Sequence, residues 1–154
     1  MGINYANERI QFGEKIANFG AIKEKIATMA ARLYGLESSW NRSAQHIDEV
    51  YEELVDQGQD KLEAKIKSCA EYAMECAIIK VYGSEVESYI VDEALQIHGG
   101  MGFSGESEIS VHYRNVRGNR IYEGTNEINR ILTPTMLLRK AMKGELPFME
   151  KTMA

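Results

Sequence analysis

Proline is almost missing from this chain. Pro134 and Pro147 are the only two in 154 residues. Up to residue 98 nothing therefore forces a helix to break by removing a backbone donor. Cysteine is as scarce, with Cys69 and Cys76 alone. On a helix their spacing sets them two turns apart, about 10 Å along the axis, too far for a disulfide. They are expected to be buried free thiols in a reducing compartment. No apolar run approaches the roughly 18 residues of a membrane span, and no apolar leader core opens the chain, so the expected compartment is the cytoplasm. Positive charge is in deficit, 18 Lys and Arg against 23 Asp and Glu, for a net charge of −5. A nucleic-acid partner would call for a basic face, and none is expected. His46, His98 and His112 are far apart, and the Glu-x-x-His pairs of a di-iron bundle are missing, so no metal site is expected. There is no phosphate-binding loop, no dinucleotide fingerprint after a strand, and no alternating strand pattern.

What the chain has is helical periodicity. Phe19, Ile22, Ile26, Met29, Leu33, Leu36, Trp40, Ile47, Val50 and Leu54 follow steps of three and four, with Ser43 in the gap. That predicts one amphipathic helix of about 35 residues, roughly 50 Å long. Gly58 and Asp60 stop it with a left-handed turn and a new N-cap. A second series from Leu62 to Leu95 predicts another long helix with a face of small residues. Gly83 inside it costs about 1 kcal/mol relative to alanine, which points to close packing there. Gly99-Gly100 caps its end. Residues 101–120 read as a loop with one helical turn near 108–115. A helix from about Gly124 has an apolar side of Ile128, Ile131, Leu132, Leu137 and Leu138. Pro134 should kink or divide it, and Gly144 and Pro147 should end it. A short helix from Ile3 to Ile10 opens the chain abruptly, as though inside an element longer in some parent protein. The fold class is all-α, an up-down bundle of about four helices, two of them long and antiparallel.

Three segments stand out. Tyr5-Ala6-x-Glu8-Arg9-x-Gln11-Phe12-Gly13 could be simply a helix end carrying a favourable charge. Gln96-x-x-Gly99-Gly100-x-Gly102 could be a helix cap and turn. Tyr122-Glu123-Gly124-Thr125 could be a carboxylate stabilised by a helix dipole. It also sets an acid or base beside a glycine and free backbone N–H groups, where a ligand could be held.

In this order the three resemble the C-terminal helical domain of the flavin-dependent acyl-CoA dehydrogenases, from Tyr5 to about Phe148. The matching motifs are Glu8-Arg9-x-Gln11-Phe12-Gly13, Asp92-Glu93-x-x-Gln96-x-x-Gly99-Gly100-x-Gly102 and Ile121-Tyr122-Glu123-Gly124-Thr125. Lys15-Ile16-Ala17-Asn18-Phe19-Gly20-x-Ile22, Tyr82-Gly83-Ser84-Glu85 and Met142-Lys143-Gly144-Glu145-Leu146-Pro147 are most similar to the very-long-chain branch and its large bacterial relatives.

The resemblance implies oxidation of an acyl-CoA to the trans-2-enoyl-CoA in fatty-acid β-oxidation. A glutamate takes the α-proton, the β-hydride goes to flavin, and the electrons pass to electron-transfer flavoprotein. Glu123 inherits the role of base. An α-proton beside a thioester is weakly acidic, so such a base works in a desolvated site with donors that stabilise enolate charge. Gly124 would let the substrate thioester approach closely. Thr125 and Glu127 match positions that touch FAD. Arg9, Gln11 and Phe12 resemble contacts to its pyrophosphate and adenine side, and Gln96, Gly99 and Gly100 contacts around its adenosine. In the family those two groups serve a flavin held mainly by the neighbouring subunit, which implies a homodimer or a tetramer. Two positions depart from the pattern: Val111 stands where Lys or Arg is usual and Asn115 where Asp is usual, both on the expected loop before Glu123. The resemblance covers only one domain of the family fold, residues 1–154 with 145–154 as a tail; the N-terminal helical and middle β domains have no counterpart. The chain is therefore expected to be a fragment, inactive alone. The alternative is a non-catalytic bundle of the same family that serves oligomerisation or partner binding.

Overall fold

The computed structural model describes residues 1–144. Among them the order is α1 (Gly2–Glu8), β1 (Ile10–Gln11), β2 (Glu14–Lys15), a 3-10 turn at Ile16–Asn18, α2 (Gly20–Asp56), α3 (Lys61–Glu71), α4 (Ala73–His98), α5 (Gly100–Phe103), α6 (Glu108–Val116), a 3-10 turn at Arg117–Arg120 and α7 (Asn126–Met142). The all-α expectation holds apart from one small hairpin. The chain groups into two compact units, one from Met1–Ser38 with Tyr82–Glu123, the other from Ser39–Val81 with the segment from Gly124 onward. Helices α2 and α4 each contribute to both.

In the first unit, Ala6, Ile16, Met29 and Ile97 form the buried core, with Ile22, Ile26, Tyr89 and Ile90 packed against it. The opening helix ends at Glu8, earlier than the Ile10 expected from sequence. The chain turns there because Phe12 (φ 55°) and Gly13 (φ 82°) both take left-handed backbone. Two such residues make the tight turn whose twist suits a hairpin, pairing Ile10 with Lys15 and Gln11 with Glu14. No strand was expected, since nothing in the residue types marks Phe12 for that conformation. Gly83 fulfils its expected role: a Cβ there would stand 3.4 Å from Leu36 Cδ1. Lys25 is hydrogen-bonded to Glu93, and that carboxylate holds the lysine pKa above its ordinary value. Arg32 lies over the Tyr89 ring at 3.7 Å, a cation–π contact. Residues 101–120 are more helical than expected. Val111 and Asn115 lie on α6, not on a loop.

In the second unit the cap expected after α2 is present. Gly58 has φ 84°, and Asp60 Oδ1 accepts from the N–H groups of Leu62 and Glu63 at 2.9 and 3.2 Å. The predicted second long helix is interrupted at Tyr72, whose φ of −99° and ψ of 18° leave the helical well. Side chains make up for the interruption. The Tyr72 ring stacks on His46 at 5.6 Å, and Lys140 Nζ donates to the Glu71 carbonyl at 3.0 Å and to its carboxylate at 2.7 Å. This break, with the short α5 and α6, turns about four expected helices into seven among the described residues. Pro134 does not divide α7. Thr133 and Thr135 donate to carbonyls one turn back on either side of it, at 3.1 and 2.8 Å. The cysteines are free but exposed, not buried, and the break at Tyr72 puts them on separate helices. Partial burial still pushes the Cys76 thiol upward, helped by nearby Cys69 and Glu75. Leu62 and Ile66 in the periodic series, and Ile128, Ile131 and Leu138 on the apolar side of the last helix, are all exposed, whereas Ala64, Ser68, Ala77, Val81 and Asn126 are buried. The expected helix end at Pro147 lies outside the described residues.

Candidate active site

The glycine turn is built where α4 ends. Gly99 takes φ 58° and ψ −139°, a conformation nearly restricted to glycine, and its N–H donates to Gln96 O at 3.0 Å. Gly102 is required by space, since a Cβ there would stand 2.5 Å from the Leu95 carbonyl oxygen. Beside this turn lies a pocket of about 430 Å³ lined by Arg9, Gln11, Gly99 and Gly100, together with Tyr5 and His98. Five residues of the first two motifs, Tyr5, Arg9, Gln11, Gly99 and Gly100, thus share one concavity. Phe12 and Gln96 do not line it. Phe12 is 93% exposed at the hairpin tip, edge-on to Phe19.

His98 is the residue the sequence reading missed there. Its ring stacks on Tyr5 at 4.3 Å, and its Nδ1 lies 2.7 Å from Ala94 O. A carbonyl only accepts, so Nδ1 carries the proton and Nε2 remains an acceptor in the neutral ring. A sequence signal existed: His98 adjoins the Gly99-Gly100 cap, one helical turn after Ala94.

The segment carrying Glu123 is held by a different set of contacts. The ring of Tyr122 lies over Gly118, where a Cβ would stand 2.7 Å from Tyr122 Cε2. Glu123 then takes φ 56° and Gly124 φ 85°. Left-handed backbone costs a residue with a Cβ about 1–2 kcal/mol. Phe12 and Glu123 are the two non-glycine residues in that region among those described, and both belong to the motifs singled out from sequence. Strain of this kind concentrates at functional sites and persists where the surroundings enforce it. The residue after Glu123, Gly124, is held by side-chain bonds. Its carbonyl accepts from Lys80 Nζ at 2.6 Å and from Asn129 Nδ2 at 2.9 Å. Lys80 also donates to Oδ1 of the buried Asn126 at 2.9 Å, and Asn129 to Thr125 O at 3.1 Å. Thr125 caps α7, its Oγ1 accepting from Ile128 N–H at 3.3 Å. Glu127 lies in the first turn of that helix, where a carboxylate suits the dipole. Glu123 itself is exposed. In the segment that precedes it, Arg114, Arg117 and Arg120 line a second pocket of about 610 Å³ with Ser88, Asp92 and Tyr113.

A helical domain with a glycine-turn pocket and a glutamate on left-handed backbone just before a helix fits a ligand-binding domain of an enzyme. Residues 2–134 match the family model described as acyl-CoA dehydrogenase, C-terminal domain, and the chain belongs to that family. It is 50% identical over 147 residues to a Bacillus subtilis (strain 168) protein named "Probable acyl-CoA dehydrogenase", covering 96% of this chain and 25% of that one. It is 41% identical over 129 residues to the mitochondrial very long-chain specific acyl-CoA dehydrogenase of Macaca fascicularis, covering 84% of this chain and 17% of that one. A crystal structure of a Bacillus anthracis acyl-CoA dehydrogenase complexed with FAD superposes with a TM-score of 0.93 at 51% identity, covering 97% of this chain and 26% of that one. The chain thus spans about a quarter or less of the length of these relatives.

Proposed function

We propose that the chain supplies the C-terminal part of the active site of an FAD-dependent acyl-CoA dehydrogenase, with Glu123 as the base that removes the α-proton of an acyl-CoA. The observation that carries this reading is the left-handed backbone at Glu123, in the motif Tyr122-Glu123-Gly124-Thr125, followed by a turn held at Gly124 O. Proton abstraction asks for a base whose backbone is fixed relative to a positioned substrate. Gly124 would lie along the thioester.

The pocket at the glycine turn suits a flavin nucleotide. Arg9 offers a guanidinium to a pyrophosphate, Gly99 and Gly100 leave their backbone uncovered, and the Tyr5–His98 stack gives a flat wall. Gln11, Phe12 and Gln96 complete the proposed contacts of that pocket to a flavin held mainly by a neighbouring subunit, while Thr125 and Glu127 are proposed contacts to the FAD that serves Glu123. The flavin would accept the β-hydride, and electron-transfer flavoprotein would take the electrons onward. Because Glu123 is exposed, the dry surroundings such a base needs would come from bound substrate and from polypeptide that this chain lacks. We read residues 1–154 as one such domain, a fragment of a cytoplasmic homodimer or tetramer acting in fatty-acid β-oxidation and inactive alone; the expected tail at 145–154 lies outside the described residues. The share of each relative that the chain covers supports the fragment reading. No described helix is long and apolar enough to cross a membrane.

The test is direct. The purified chain, given FAD, palmitoyl-CoA and a dye acceptor, is expected to give neither turnover nor stoichiometric yellow flavin. Either result would refute the fragment reading. One observation favours a second reading, a non-catalytic bundle that binds a partner: Ile66, Ile128, Ile131 and Leu138 are all more than half exposed. Large contiguous apolar patches mark contact sites, and these side chains are the candidates for one. A chain that forms a stable complex without FAD or acyl-CoA would favour it.

A further inference from the structure

Lys80 lies on α4, more than forty residues before the proposed base, and no motif includes it. Its ammonium is half-buried and makes two short bonds, 2.6 Å to Gly124 O and 2.9 Å to Asn126 Oδ1. Gly124 O is the carbonyl that follows the strained pair Glu123–Gly124. Asn126 is 3% exposed, so its side chain is a fixed acceptor. Asn129 closes the other side with bonds to Gly124 O and Thr125 O. One charged donor therefore ties a rigid helix to the turn that carries Glu123. Bonds from a charged donor are shorter and stronger than neutral ones.

We infer that Lys80 is a positioning residue for the proposed base, locking the Gly124–Asn126 turn so that Glu123 keeps one backbone conformation. This rests on the proposed role of Glu123. Lys80 has no part in proton transfer itself. Its bonds are to a carbonyl and a carboxamide, and its effect reaches Glu123 through the peptide that joins it to Gly124. Without the ammonium, Gly124 O keeps only Asn129, and the left-handed turn can relax. The carboxylate would then sample positions away from the substrate, and the loss would fall on the chemical step more than on binding.

Two measurements test this, using Lys80→Met, which keeps length and removes the donor, and Lys80→Arg, which restores a charged donor. The first is amide hydrogen exchange on the 154-residue chain. In Lys80→Met, exchange at the Ile128 and Asn129 amides, which bond back to Thr125, should quicken at least tenfold while α2 stays protected, and Lys80→Arg should recover part of that protection. Equal exchange in all three chains would overturn the inference. The second is anaerobic flavin reduction by acyl-CoA in a full-length, FAD-loaded enzyme containing this domain. Lys80→Met should slow reduction tenfold or more and raise the isotope effect of an α-deuterated substrate, with KM within about twofold. Losses that merely track FAD content, with an unchanged isotope effect, would leave Lys80 a structural residue and overturn the inference. Glu123→Gln in the same background separates the two claims. If it reduces normally, the proposed base is wrong. If it is dead while Lys80→Met is normal, only the role of Lys80 falls.

Discussion

Replacing Gly102 by alanine should destabilise the chain through one defined collision. The new Cβ would stand 2.5 Å from Leu95 O, 2.9 Å from His98 Cβ and 3.2 Å from Leu95 Cγ. The nearest of these is backbone inside α4, so it cannot swing away as a side-chain tip could. Overpacking of this kind costs about 1–3 kcal/mol. Replacing glycine lowers the entropy of the unfolded chain and returns about 0.4–1 kcal/mol. Because the collision is with backbone, the cost takes the upper end of that range, about 3 kcal/mol, and the net loss should be near 2 kcal/mol. For a chain of this length about 2–4 °C accompanies each kcal/mol, so Tm should fall by roughly 4–8 °C. Two neighbouring glycines are controls. At Gly100 a Cβ meets nothing within 4 Å, so Gly100→Ala should leave Tm unchanged or slightly raised. At Gly99 space is also open, but φ is 58°, so Gly99→Ala should lose about 1–3 kcal/mol through strain alone. Thermal unfolding by circular dichroism reads all three. A Gly102→Ala variant as stable as the parent, or a Gly100→Ala variant as damaged as Gly102→Ala, would refute the reasoning.

Two further outcomes follow from the same geometry. Glu123→Gly relieves left-handed strain and should raise Tm by about 1–2 °C, the strain relief slightly exceeding the entropy cost of glycine, whereas Glu123→Val should lower it; a loss of stability in Glu123→Gly would show that Glu123 is not strained. The Lys25–Glu93 pair makes stability depend on alkaline pH. Because the lysine pKa is raised in the folded chain, its contribution is complete below the ordinary value of 10.5 and is lost as pH rises through the folded value. Urea titrations from pH 9 to 11.5 should show that loss in the parent and not in Lys25→Met, and parallel curves would contradict it.

Much of the helical layout was legible because it rests on periodicity. The stripe from Phe19 to Leu54 became one helix of 37 residues, and Gly58 and Asp60 ended it by the chemistry their residue types announce. The failures came where tertiary contacts overrode local preference. Tyr72 is an acceptable helix residue, yet the chain breaks there, with His46 stacked on its ring and Lys140 on the preceding carbonyl. Phe12 has no turn preference of its own, yet it holds a positive φ in the hairpin. Leu62 and Ile128 look like core residues, but their apolar faces are uncovered. The candidate site divides in the same way. Arg9, Gln11, Gly99 and Gly100 could be singled out as motif residues, and they meet at one pocket. His98 and Tyr5 could not be paired from sequence, because their contact joins α1 to the end of α4. Lys80 was invisible for the same reason, since its partners lie 44 and 46 positions away.

The central claim is that Glu123 removes the α-proton. Anaerobic mixing of acyl-CoA with a full-length, FAD-loaded enzyme carrying Glu123→Gln tests it most directly, followed at the flavin absorbance near 450 nm. The account predicts that FAD remains bound and stays oxidised. Bleaching at the parent rate would contradict it and move the base to another residue.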